Sequence, residues 1–248
     1  MLATRIIPIL LERDGHLVKG TRFNGWRTVG NALQAARIHA ARGVDELLYL
    51  DIAATPAKRG PNLQMVKDLT DGMFSPVTVG GGVRRVEDVQ NLLLAGADKV
   101  AIGSASRDFG LINDCTKRFG SQAIVGILNH DQGYVSRWTG DAWERSGNTG
   151  LFWAKLMEQA GVGEIMMNDV SRDGTMTGYD IDAIGMVSEA LSIPVVAGGG
   201  CRDYRDMLAA IKAGASGVAA GALFQFTDST PKEAAKYLAN QGVEVRLL

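Results

Sequence analysis

The 248-residue sequence predicts a single (β/α)8 barrel, residues 1–248, built from two half-barrel repeats. Three observations carry this. Eight short apolar runs alternate with amphipathic, helix-like stretches. The runs are too uniformly apolar to alternate in and out, so each is expected to be buried on both faces, as in a parallel sheet covered by helices. Eight such units in about 250 residues is what a closed barrel requires; an open doubly wound sheet is the alternative fold.

The expected strands are RIIPILL (5–11), DELLYLD (45–51), PVTVG (76–80), DKVAIG (98–103), QAIVGIL (122–128), GEIMMND (163–169), PVVAG (194–198) and SGVAAG (216–221). Helix-like stretches such as NALQAARIHAAR and EDVQNLLLAGA lie between them. Pro8 conflicts with the first strand, because proline removes a ladder donor; a bulge or strand end is expected there.

A long internal repeat divides the barrel. Gly80 and Gly198 are 118 positions apart, as are Glu46 and Glu164, Asp51 and Asp169, Gly96 and Gly214, and Gly103 and Gly221. One constant offset across four units implies two half-barrels, strands 1–4 and 5–8, related by a pseudo-twofold axis.

Composition narrows the function. The chain is 46% hydrophobic and 21% charged, with a net charge of -1. That is ordinary globular composition with no sign of a nucleic-acid or membrane-surface partner. Cys115 and Cys201 are far apart with no CxxC, so neither a zinc site nor a disulfide framework is expected, and a reduced, cytoplasmic chain fits. The opening MLATRIIPILLERDG is charged too early and its apolar run is too short for a signal peptide or membrane span.

The candidate chemistry lies at the C-terminal ends of the strands. TVGGGVRRVEDV from Thr78 has a near copy in VAGGGCRDYRDM from Val196. Glycines let backbone N–H groups approach an anion at a helix N-terminus. GGG after strand 7 with AAGAL after strand 8, and GGG after strand 3 with AIGSA after strand 4, read as two facing phosphate sites. The simpler alternative is that glycines merely make tight turns. DGHLVKGTRFNGW (14–26) reads as a long loop and a lid, from which Lys19 reaches a phosphate or an intermediate, or is simply solvated. In SRDGTMTG (171–178), Asp173 is an acid/base candidate or closes an Asx turn. Asp51 and Asp169 end strands 2 and 6 and are candidate acceptors for loop N–H groups. Arg5, Glu46, Lys99 and Glu164 each start a strand and would ring the opposite mouth, as a salt-bridge collar or a gate.

With these residues in view, the chain resembles the HisF family, the cyclase subunits of imidazole glycerol phosphate synthase. The resemblance runs from MLATRIIP through DGHLVKGTRF, DELLYLDI, TVGGGVR, AGADKV, FGSQAIV, NTG, GEIMMNDVSRDGT and PVVAGGG to VEVRL. It implies a barrel that takes ammonia from a glutaminase docked on its bottom face and passes it through the interior. At the top, the ammonia reacts with a bisphosphate, the ribulosylformimino derivative of aminoimidazole carboxamide ribotide. No cofactor and no metal are implied. Carried over, Gly82, Gly103 and Ser104 would serve one phosphate, and Asp173, Gly174, Gly200, Gly221 and Ala222 the other. Gly103-Ser104 stands where the family usually has Asn-Thr, which removes one side-chain donor. Arg5, Glu46, Lys99 and Glu164 match the ammonia gate, Asp98 a position facing the glutaminase, and Lys19 the lid lysine.

The resemblance breaks at one symmetric pair. The family's acid/base aspartates fall at positions 11 and 129, where this chain has Leu11 and Asn129. Leucine transfers no proton, and asparagine hydrogen-bonds without titrating near neutrality. Asp14, His130 and Asp131 are candidate substitutes; Glu12 should point away. With the gate and phosphate loops kept and this pair changed, the chain resembles HisF-like paralogues, which implies a subunit specialised for amidination in surface-glycan sugar synthesis, working with a glutaminase and a third amidotransferase protein. The alternatives are a genuine histidine-pathway cyclase with relocated acid/base groups, and a non-catalytic scaffold that conducts ammonia.

Overall fold

The computed structural model describes residues 3–138 and 143–247. Eight strands close a parallel barrel: β1 (Arg5–Arg13), β4 (Leu47–Asp51), β5 (Val77–Gly80), β6 (Lys99–Ile102), β7 (Ile124–Asp131), β10 (Glu164–Asp169), β11 (Val195–Gly198) and β12 (Gly217–Ala220). They pair in that order, and β1 pairs with β12 to complete the ring. The expected fold is thus the observed one.

Alternation within each strand sorts the core into two layers. Ile7, Ile9 and Leu11 of β1 face the barrel interior with Leu48, Ala101, Val125, Ile127, Met166, Val196 and Ala219. Ile6 and Leu10 face outward into the larger core under the helices. Those helices are α1 (Ala32–Ala41), α2 (Leu63–Thr70), α3 (Val86–Leu94), α4 (Phe109–Phe119), α5 (Gly150–Ala160), α6 (Ile181–Ala190), α7 (Tyr204–Lys212), the short α8 (Ala222–Phe226) and α9 (Pro231–Asn240). The caps repeat the pseudo-twofold. Asp88 Oδ2 accepts from Arg84 and Arg85 N–H at 2.9 and 3.0 Å, and Asp206 Oδ2 from Arg202 and Asp203 N–H at 2.9 and 3.4 Å.

Two findings differ from the sequence reading. Pro8 is neither at a strand end nor marked by a break: it pairs with Ala220, and the next residue, Ile9, pairs with Leu48 of β4. The missing N–H therefore falls where β1 changes partner. Residues 14–26 are also not a plain loop. They contribute to an antiparallel hairpin, β2 (His16–Thr21) and β3 (Asn24–Gly30), that continues from β1. A second hairpin, β8 (Tyr134–Trp138) and β9 (Trp143–Thr149), continues from β7. Both begin with a left-handed pair, Asp14-Gly15 (φ 52° and 84°) and Gln132-Gly133 (φ 51° and 80°), as tight hairpin turns require. These pairs are also 118 apart, so the repeat extends to the insertions.

Candidate functional site

The C-terminal mouth of the barrel holds a cavity of about 760 Å³. Its floor is apolar, made by Ile9, Leu11, Leu50, Ile127 and Met166. Its polar lining includes Lys19, Asn129, Asn168 and Asp173, with Asp14, Arg22, Asn24 and Asp51, and with Gly82, Gly103 and Ser104. Trp26 of the β2–β3 hairpin also lines it.

Leu11 and Asn129 occupy equivalent positions of β1 and β7, and both line this cavity. Asn129 Oδ1 accepts a hydrogen bond from Asn168 Nδ2 at 3.2 Å. Glu12 points away, as strand alternation demands. It is buried, and its carboxylate accepts from Tyr49 Oη at 3.1 Å and from Gly15 N–H. His130 likewise faces out of the barrel and does not line the cavity, so it is no substitute for a group at position 129. Asp14 does line it, exposed and beside Arg13.

Lys19 is 3% exposed. Burial pushes its pKa down, and Asp173 opposes that shift only in part. Asp173 is shifted the other way: burial raises its pKa, Lys19 lowers it and Asp169 raises it further. A lysine and a carboxyl displaced toward each other in one cavity are candidates for proton transfer.

The β2–β3 hairpin is docked on the loop after β10. Arg22 N–H donates to Asp173 O at 2.8 Å, and Arg22 Nε to Ser171 O at 3.0 Å. A Cβ on Gly174 would overlap Gly20 O, and one on Gly221 would overlap Lys19 Nζ. The two expected phosphate ends therefore differ. Gly82, Gly103, Ser104 and Asp173 border the cavity, whereas Gly174, Gly200, Gly221 and Ala222 lie outside its lining.

The glycine triplets have a steric cause of their own. A Cβ on Gly81 would overlap Asp51 O, and one on Gly199 would overlap the Asp169 backbone. The loops after the third and seventh barrel strands are pressed against the ends of the second and sixth. Asp51 and Asp169 organise those ends. Asp51 Oδ1 accepts from Ala53 and Ala54 N–H at 3.1 and 3.0 Å, and Arg59 binds its carboxylate at 2.6 and 2.9 Å. Asp169 Oδ1 accepts from Ser171 and Arg172 N–H at 2.8 and 3.3 Å.

At the opposite mouth four charges form a closed ring. Glu46 Oε2 meets Arg5 Nη1 at 2.7 Å and Lys99 Nζ at 2.9 Å. Glu164 pairs with Arg5 and, at 3.1 Å, with Lys99. Thr78 Oγ donates to Glu46 Oε1 at 2.5 Å. Burial works against the Glu46 carboxylate, but Lys99 and Arg5 outweigh it and its pKa lies below the ordinary value. Asp98 is exposed beside Lys99 in sequence, and its Oδ2 accepts from Val77 N–H at 2.8 Å. Between ring and cavity lies the apolar interior, a medium that a neutral small molecule crosses far more cheaply than an ion.

Among the described residues, no helix is long and apolar enough to cross a membrane. The family model described as "Histidine biosynthesis protein" matches residues 5–230. A protein of Natranaerobius thermophilus, named imidazole glycerol phosphate synthase subunit HisF, is 40% identical over the whole of both chains. One of the same name from Hyphomonas neptunium is 41% identical over 99% of both. The fold, the charged ring and the full-length identity agree, and the chain belongs to the HisF family of histidine biosynthesis proteins.

Proposed function

We propose that this chain is the synthase subunit of an imidazole glycerol phosphate synthase, using ammonia supplied by a glutaminase partner to convert a bisphosphate at the top of the barrel. Ammonia enters at the Arg5–Glu46–Lys99–Glu164 ring, near which Asp98 meets the partner. It crosses the apolar interior to the floor beside Leu11 and Asn129. One substrate phosphate lies along Gly82, Gly103 and Ser104. The other lies toward Lys19 and the segment of Asp173 and Gly174, with Gly200, Gly221 and Ala222 beneath the hairpin.

The observation that carries this reading is the Lys19–Asp173 pair. Leu11 transfers no proton, and Asn129 orients through its amide without titrating. Lys19 and Asp173 line the same cavity, with pKa values displaced toward each other by burial, which their mutual charge offsets only in part. They take the acid/base steps that accompany ammonia addition and ring closure, while Asn129 holds the reacting carbonyl or amine. Histidine-pathway chemistry is the better supported acceptor, because both full-length relatives carry that name.

Leu11 supports a second reading, in which the ring-closing chemistry is absent and ammonia passes to another acceptor through a third protein, as in amidination of a surface-glycan sugar. Paired variants separate the two. On the first reading, Lys19→Met and Asp173→Asn each lower ammonium-driven turnover of the bisphosphate by roughly 10²-fold or more, while calorimetry still detects bisphosphate binding. Bisphosphate binding without turnover in the unaltered chain favours the second.

A further inference from the structure

Outside the cavity, on the helix-facing side of the same rim, three side chains converge. His130 lies near the end of β7, Asp169 ends β10, and Asp180 caps α6. The β7–β10 register sets His130 opposite Asp169. One ligand atom from each of the three lies within 4.8 Å of the others.

The His130 imidazole is 2% exposed, and its Nδ1 is buried with no hydrogen-bond partner among the described residues. Its neighbour is Asp180 Oδ2 at 3.9 Å, too far for a hydrogen bond. The other oxygen of Asp180 accepts from Ala183 N–H at 3.1 Å, so the second is directed at the imidazole. Asp169 Oδ1 is held by Ser171 N–H, Ser171 Oγ and Arg172 N–H at 2.8, 2.6 and 3.3 Å, and Oδ2 pairs with Arg172 Nε at 3.0 Å. Asp131 adds a third negative charge to the field at His130. Three carboxylates against one guanidinium leave two negative charges around the imidazole.

We propose that His130, Asp169 and Asp180 form a divalent metal site of the zinc, cobalt or manganese class, with one imidazole nitrogen, two carboxylate oxygens and water as ligands. This donor set suits such borderline ions. Binding requires the donors to close to about 2.0–2.2 Å from the ion, with Asp169 Oδ2 released from Arg172. The metal would tie the ends of β7 and β10 to α6, clamping the 170–180 loop that carries Asp173. The three ligands are scattered at 130, 169 and 180. The sequence reading, which expected no metal, had no spacing to find.

The test is titration of the untagged, chelator-stripped full chain with Co²⁺ and Zn²⁺, followed by calorimetry and by the visible absorption of bound Co²⁺. The expected result is one saturable equivalent per chain, a Co²⁺ spectrum, and a melting temperature that rises with metal concentration. His130→Gln should weaken binding by at least roughly tenfold, the lower bound for losing even an outer partner of a metal ligand. Asp180→Asn keeps the α6 cap, because asparagine caps as well as aspartate, and should weaken binding alike; it decides the matter if His130→Gln does not fold. Arg172→Gln, which frees Asp169 Oδ2, should tighten binding. Absence of a saturable equivalent, or binding unchanged in Asp180→Asn, overturns the proposal.

Discussion

Lys19 Nζ lies directly against Gly221, so closely that a Cβ on Gly221 would overlap it. The strand-8 glycine thus makes the space in which Lys19 is buried. Its backbone φ of -113° is open to alanine, and the overlapped atom is the tip of a flexible side chain. Gly221→Ala should therefore leave thermal stability within about 1 kcal/mol while displacing Lys19 from the cavity. On the proposed function, turnover falls by roughly 10²-fold. Thermal unfolding and steady-state kinetics of the one variant separate the two effects.

The charged ring predicts a stability cost. In Glu46→Gln, Arg5 and Lys99 keep only Glu164 as a full negative partner. Breaking a buried pair costs about 3–5 kcal/mol; Arg5 and Lys99 are partly exposed, which reduces the expected loss to about 2 kcal/mol. The sign of the pH dependence follows from the depressed Glu46 pKa. Its contribution is present above the unfolded-state value of 4.5 and is lost as pH falls through the lower folded value. Denaturant midpoints of the variant and the unaltered chain should therefore converge as the medium becomes strongly acid.

His39 sets a second, higher acid limit. It is buried edge-on to Phe224, and burial, with Arg42, lowers its pKa from 6.5 to about 4. The folded state thus resists a proton that the unfolded state takes up below pH 6.5. Stability is full above that pH and declines as pH falls toward 4, by ~3 kcal/mol in all. Thermal unfolding between these limits should show the decline in the unaltered chain and a flatter profile in His39→Leu.

Trp26 supplies an optical probe. It is the tryptophan in the cavity lining. A planar heterocycle bound there should change its fluorescence. Trp26→Leu should raise KM about fivefold, for an aromatic contact worth about 1 kcal/mol. An unchanged KM and an emission spectrum indifferent to ligand would remove Trp26 from the binding surface.

The barrel was legible because its strands are buried on both faces, and continuous apolar runs report that directly. The 118-residue offset fixed the half-barrel relation of Leu11 to Asn129, and of Glu46 to Glu164. The hairpins were not read. Arg22 and Phe23 turn the first at φ of 53° and 57°, conformations that neither residue type signals. The glycine triplets were read as phosphate sites, yet Gly81 and Gly199 have a nearer cause in Asp51 and Asp169. The burial of Lys19 could not be foreseen either, since it depends on the hairpin docking onto the loop of Asp173.

On the proposed function, ring-closing chemistry proceeds here without a carboxylate at position 11 or 129. The direct measurement is to mix the purified chain with the histidine-pathway bisphosphate and ammonium at alkaline pH and follow the loss of ultraviolet absorbance. Ammonium-dependent turnover on the order of 1 s⁻¹, within the ordinary enzyme range, is expected. Tight binding of the bisphosphate with no ammonium-dependent loss of absorbance would contradict it and give the chemistry to another acceptor.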